Sequence, residues 1–219
     1  MYITRQALFE GCLLSSLAHA IMVSVYPYLS HEQSWDGMNF SIQDSQGMRG
    51  TLTFAERCCV GAFRNEENGI LSTNNYNGKV RKELLSTVPN DVIEIAENET
   101  FQYLLIDCFG SVIPNITSFF WCDTDGFYYL ERLKQQLGRD MNLLYNILKP
   151  RADAEKALCE YYDMNESALN LLNHLFDLKI NNFSKTIYLS EQEKQMFPAE
   201  KLNDECRESL KELNIFVTK

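Results

Sequence analysis

The sequence predicts an α+β fold, and three observations carry that prediction. Apolar residues recur at three- and four-residue steps near the N-terminus. The period then shortens towards two, and in the last ninety residues it lengthens again to helical spacing. The resulting order is an N-terminal helix, an antiparallel β-meander, a mixed central region and a helical C-terminal part, not alternating βαβ units.

Leu14, Leu17, Ala18, Ile21, Met22 and Val25 lie on one face of a helix expected over residues 4–25 and ended by Pro27. Residues 11–30 hold no charged side chain, yet Ser15, Ser16 and His19 interrupt the apolar run. Arg5 is also offset by Glu10, so neither a signal peptide nor a membrane span is expected. Alternation then marks strands at residues 39–43, 50–54 and 59–63. They are separated by Asp44-Ser-Gln-Gly47 and Ala55-Glu-Arg57, the turn chemistry of a meander.

Residues 64–78 are polar and rich in Asn and Gly, and read as a long loop. A helical segment is expected around Val80, Leu84 and Leu85, and another after Asn90-Asp91, where Asp91 and Glu94 have capping-box spacing. Phe101, Leu104, Leu105 and Cys108 fit i, i+3, i+4, i+7, so residues 101–109 read as helix. Residues 116–122 and 127–129 read as strands around the turn Asp123-Thr-Asp125-Gly126. A calcium loop beginning at Asp123 would put Lys134 at its twelfth position, where a glutamate is required, so the motif is a hairpin turn.

The stripe from Leu130 to Leu148 predicts a helix up to Pro150, followed by helices at 154–162 and 167–178. A short strand at 185–189, a helix capped by Ser190 and Glu193, a helix at 203–213 and a terminal strand at 215–217 complete the chain.

Twenty Lys/Arg stand against thirty Asp/Glu, a net charge of −10. Residues 1–128 hold 7 basic and 15 acidic residues, and residues 129–219 hold 13 and 15, so the field belongs to the sheet-containing part. An acidic region at 1–128 and a mainly helical region at 129–219 are the expected divisions of one compact unit. The longest basic cluster, Lys79, Arg81 and Lys82, is too short for a phosphate-binding stripe. Nucleic acid and anionic membrane surfaces are therefore not expected partners.

The seven cysteines are odd in number and contain no C-x-x-C pair, which points to reduced, mostly buried thiols in a cytoplasmic protein. The vicinal pair Cys58-Cys59 should place one thiol inside and one at the surface. No phosphate-binding glycine loop or nucleophile elbow is present, and His19, His31 and His174 are far apart. No catalytic residue, cofactor or metal is expected.

What remains is charge with an aromatic component. Trp35, Asp36, Asp44, Glu66, Glu67 and Tyr76 form the candidate recognition surface, an aromatic anchor with an acidic rim. The expected function is a non-enzymatic acidic protein-binding module for a basic partner protein, of the kind represented by bacterial immunity or antitoxin-type proteins. Two alternatives stand beside it: an enzyme assembled from distant residues, which requires a concave pocket holding carboxylates or a perturbed thiol, and a subunit of a larger assembly, including a homo-oligomer.

Overall fold

In a computed structural model the described residues are 3–65, 83, 86–108 and 110–217. Among them the chain forms seven α-helices: α1 (Arg5–Met22), α2 (Asn90–Asn98), α3 (Lys134–Asp140), α4 (Arg151–Tyr162), α5 (Glu166–Lys179), α6 (Glu191–Lys194) and α7 (Asp204–Glu212). The first four strands are β1 (Gln33–Asp36), β2 (Asn39–Gln43), β3 (Met48–Phe54) and β4 (Cys59–Asn65). They are followed by β5 (Leu105–Cys108), β6 (Ser111–Pro114), β7 (Ser118–Cys122), β8 (Phe127–Tyr129), β9 (Ile187–Leu189) and β10 (Ile215–Val217). The fold class is α+β with an N-terminal helix. The chain divides into two compact units, residues 1–6 with 38–144 and residues 7–37 with 145–219.

A cut at residue 128 does not describe this division. Residues 129–144 stay with the sheet, and most of α1 groups with the C-terminal helices. A discontinuous unit of this kind arises from long-range packing and leaves no linker composition for a sequence to show.

In the first unit, strands run antiparallel in the order β2-β3-β4-β7-β8. The β2–β3 turn is held by the Asp44 carboxylate, which accepts from the Gln46 and Met48 amides at 2.9 Å each, with Gly47 at φ +91°. Register places Phe54, Cys59, Cys122 and Phe127 in one row across the sheet, and Leu52, Gly61, Phe120 and Tyr129 in another on the same face. On this face Gly61 is required: a Cβ there would lie 2.1 Å from Phe120 Cε1. Val60, Ala62, Phe119 and Trp121 occupy the opposite face, where Val92 and Ala96 of α2 and Phe101 and Leu104 of the following turn cover them. The Phe101 and Phe119 rings meet edge to face at 5.8 Å.

A single buried carboxylate joins α3 to the sheet. Asp140 is 0% exposed and accepts from Asn65 Nδ2, Gln136 Nε2, Thr117 Oγ1 and Ser118 Oγ at 2.6–3.2 Å. Four neutral donors thus stand around one buried charge, in the way buried polar groups are usually satisfied.

In the second unit, α1 is buried on more than one face. Thirteen of its residues are inside, including Ser15, Ser16 and His19. Each of these polar residues has a partner: Ser16 Oγ donates to Cys12 O, Ser15 Oγ to Gln33 Oε1, and His19 Nδ1 lies 3.1 Å from the Tyr162 hydroxyl. Gly11 is needed because Ile147 O would lie 2.1 Å from a Cβ. On α7, Cys206 Sγ donates to Ala20 O at 3.3 Å, and the preceding Asn203 reaches Val23 O and Ser24 O. The enclosed part of the helix, residues 11–22, carries no Asp, Glu, Lys or Arg for a physical reason, since every charge there would be desolvated, while Arg5 and Glu10 lie in its first turns.

Several expectations are corrected. α2 has no side-chain cap: its N-cap is Pro89, and Asp91 is exposed in the first turn. Residues 101–108, the described part of the segment expected as a helix at 101–109, are not a helix: a 3-10 turn over Thr100–Leu104 leads into β5, which pairs with β6. The stripe from Leu130 to Leu148 is not one helix. It runs through a 3-10 turn, α3 and a second 3-10 turn over Met141–Leu144. Cys58 and Cys59 are both buried. The capping box of Ser190 and Glu193 is present as expected. The expected loop at 64–78 and helix at 80–85 lie outside the described residues, apart from Arg64, Asn65 and Glu83.

Candidate functional site

The β3–β4 turn at residues 55–58 and the β7–β8 turn at residues 123–126 come to the same end of the sheet. The cause is register: antiparallel pairing of Cys59 with Cys122 sets the start of β4 beside the end of β7. The N-terminus of α2 and residues 4–6 border the same place, and together they enclose a cleft of about 730 Å³. That volume lies in the range of small-ligand sites, roughly 300–1,000 Å³.

Four carboxylates line it: Glu56 from the first turn, Asp91 from α2, and Asp123 and Asp125 from the second turn. Among the described residues none of the four is ion-paired. Asp123 is held in place by accepting from the Asp125 and Gly126 amides at 2.7 and 3.0 Å. Two cations share the wall, Arg57, which is exposed, and Arg5, whose Nε donates to Ala55 O at 2.6 Å. The apolar part of the lining is Pro89, Val92, Cys58 and Trp121, and the Trp121 ring stacks on Tyr128 at 5.3 Å and 17°.

The electrostatics follow from this inventory. Desolvation first, then Asp123 and Asp125, push the Tyr128 phenol upward. Burial first, then Asp91, Cys122 and Asp123, push the Cys58 thiol upward, with only Arg5 opposing. Cys58 is therefore held as a neutral thiol, which is a poor nucleophile. The field in the cleft disfavours added negative charge and favours a cation. The chain around it has the same bias: between Lys82 and Arg132 it contains no lysine or arginine and nine acidic residues.

The residues singled out from sequence are placed differently. Trp35 is 4% exposed: its ring meets Phe9 and Phe183 at 6.1 and 4.7 Å, and its Nε1 donates to Ser16 Oγ at 2.7 Å, so it is a core side chain of the second unit. Asp36 is exposed in that unit, while Asp44 belongs to the first unit and closes the β2–β3 turn. Glu66, Glu67 and Tyr76 lie outside the described residues.

Sequence reasoning missed Glu56, Asp91, Asp123 and Asp125 as a group, because they are up to about seventy residues apart and only strand register assembles them. The run of nine acids without a basic residue was the available signal. No helix among the described residues is long and apolar enough to cross a membrane, and these residues contain no group of three or more His, Cys, Asp or Glu that could hold a metal ion. Comparison of the chain with protein-family models, with curated proteins and with solved structures finds no match, and the functional reading rests on the chemistry of the cleft itself.

Proposed function

We propose that this chain is a non-enzymatic protein-binding module, and that its cleft receives lysine or arginine side chains of a basic partner protein. The observation that carries the reading is the set of four carboxylates, none of them ion-paired among the described residues, around one half-apolar cleft. A basic side chain has an apolar stem and a charged tip, and the cleft offers Val92, Pro89 and Trp121 to the first and carboxylates to the second. Cys58, raised as a thiol, supports binding over nucleophilic catalysis. An immunity- or antitoxin-type role, blocking a basic toxin by matching its charge, is the specific form we propose, in a reducing compartment such as the cytoplasm.

Titration of the chain with short oligolysine and oligoarginine peptides, followed by calorimetry, tests this. Saturable binding is expected that weakens as salt screens the charges and that falls about two- to fivefold in Asp91→Asn or Asp125→Asn, the effect of removing about 1 kcal/mol or less at a solvated site. Binding of oligoglutamate in place of oligolysine, or indifference to both substitutions, would overturn the reading.

A further inference from the structure

We propose that Cys59 and Cys122 form a reversible disulfide across the β4–β7 ladder when the chain meets a low-molecular-weight disulfide oxidant such as oxidised glutathione. The two residues are direct register partners on adjacent antiparallel strands. Such partners have Cα separations of about 4.5–5.5 Å, inside the roughly 4.4–6.8 Å that a disulfide spans. Direct partners also point to the same face, so the two sulfurs face each other rather than opposite sides of the sheet.

Both are reduced and 0% exposed. The Cys122 thiol is drawn below its ordinary value, chiefly by the Cys59 side chain as a hydrogen-bond partner, whereas Cys12, Cys58, Cys159 and Cys206 are all pushed up by burial. Cys122 is thus the thiol with the most thiolate character among these.

Access comes from position. Cys59 begins β4 and Cys122 ends β7, so the pair is the terminal rung of that ladder, and opening it does not require the sheet to separate. The exchange balances in two steps. The Cys122 thiolate attacks one sulfur of the oxidant, breaking its S–S bond and releasing one small thiol. Cys59 then displaces the second small thiol, forming the Cys59–Cys122 bond. The two protein thiol protons leave with the two released thiols, the protein pair is oxidised, and the oxidant is reduced. The bridge would fix the rung beside Cys58, Trp121 and Asp123 of the cleft, and it stands whatever that cleft binds.

The experiment incubates the full-length reduced chain with oxidised glutathione, alkylates remaining thiols, digests without reductant and maps the linked peptides by mass spectrometry. A linkage between the peptide bearing Cys58 and Cys59 and the peptide bearing Cys122 is expected, with loss of two hydrogens and full reversal by dithiothreitol. It should persist in Cys58→Ser and Cys108→Ser and disappear in Cys59→Ala and Cys122→Ala. Should either alanine variant fail to fold, the linkage in the native chain and the two serine variants decides alone. Two results would overturn the proposal: Cys59 and Cys122 still fully alkylated after Cys159 has become glutathionylated, or a linkage that survives Cys59→Ala.

Discussion

Gly61→Ala puts the sheet's internal geometry to a direct test. A Cβ at residue 61 would sit 2.1, 2.2 and 2.9 Å from Phe120 Cε1, Cζ and Cδ1, distances that no van der Waals contact allows. The ring has little room to retreat, since Phe120 is 0% exposed, stacks on Phe127 at 4.9 Å and lies 6.1 Å from Phe63. Overpacking of this kind costs about 1–3 kcal/mol, and a rigid aromatic neighbour puts the cost at the upper end. Replacing glycine inside a strand returns a few tenths to about 1 kcal/mol. The net expectation is about 2 kcal/mol of destabilisation, or about 4–8 °C in Tm for a chain of this length.

Thermal and urea unfolding followed by circular dichroism measures it, and Phe120→Leu supplies the internal control. With the ring removed, the clash disappears, so Gly61→Ala in the Phe120→Leu background should cost less than half of what it costs alone. Additive effects, or a Gly61→Ala variant as stable as the parent, would refute the register and packing described for β4 and β7.

Three further outcomes follow from the same geometry. Asp140→Ala removes the shared acceptor of four donors, of which Asn65 and Ser118 are buried, and should cost about 3 kcal/mol in urea unfolding, more than Asp140→Asn, which keeps one carbonyl oxygen. His19 is lowered from 6.5 to about 4, chiefly by burial and further by His31, against a backbone hydrogen bond at Ser30. The unfolded chain therefore binds the proton first, so stability is full above about pH 6.5 and is lost as pH falls towards 4, by up to about 3 kcal/mol. Urea titrations between pH 7 and 4 on the parent and on His19→Gln should show a steeper loss of stability in the parent than in the variant. Ser190→Ala removes one half of the α6 capping box and should cost about 1 kcal/mol by the same assay, with Glu193→Gln smaller.

What the sequence revealed and what it hid differ by whether period and spacing were enough to decide a segment's fate. The strands expected at 39–43, 59–63 and 116–122 and the Ser190 cap carry their own signature in alternation, turn chemistry and spacing, and the structure has strands at 39–43, 59–65 and 118–122. Residues 101–108 failed because Phe101, Leu104 and Cys108 satisfy a helical period while the segment's fate was set by pairing of Leu105–Cys108 with β6. α1 was legible as a helix, but its enclosure was not, because the partners of Ser15, Ser16 and His19 are Gln33, Cys12 and Tyr162, two of them outside the helix. Trp35 read as an exposed anchor beside acids, yet a tryptophan with Ser16 as hydrogen-bond partner and two phenylalanines around it belongs inside. The cleft was the least legible feature. Asp123 and Asp125 were visible only as a turn, Glu56 as part of another turn and Asp91 as a helix cap, until the Cys59–Cys122 register set them around one space.

The sign of the cleft's response to charge tests the central claim most directly. Arg57 and Asp125 are both exposed and line the same cleft, so neutralising each should leave the fold intact while moving the local field in opposite directions. Calorimetric titration with oligoarginine should show tighter binding by Arg57→Gln than by the parent and weaker binding by Asp125→Asn, each by about two- to fivefold. The reverse order, or identical affinities in all three proteins, would contradict the account of this chain as an acidic cleft for a basic partner.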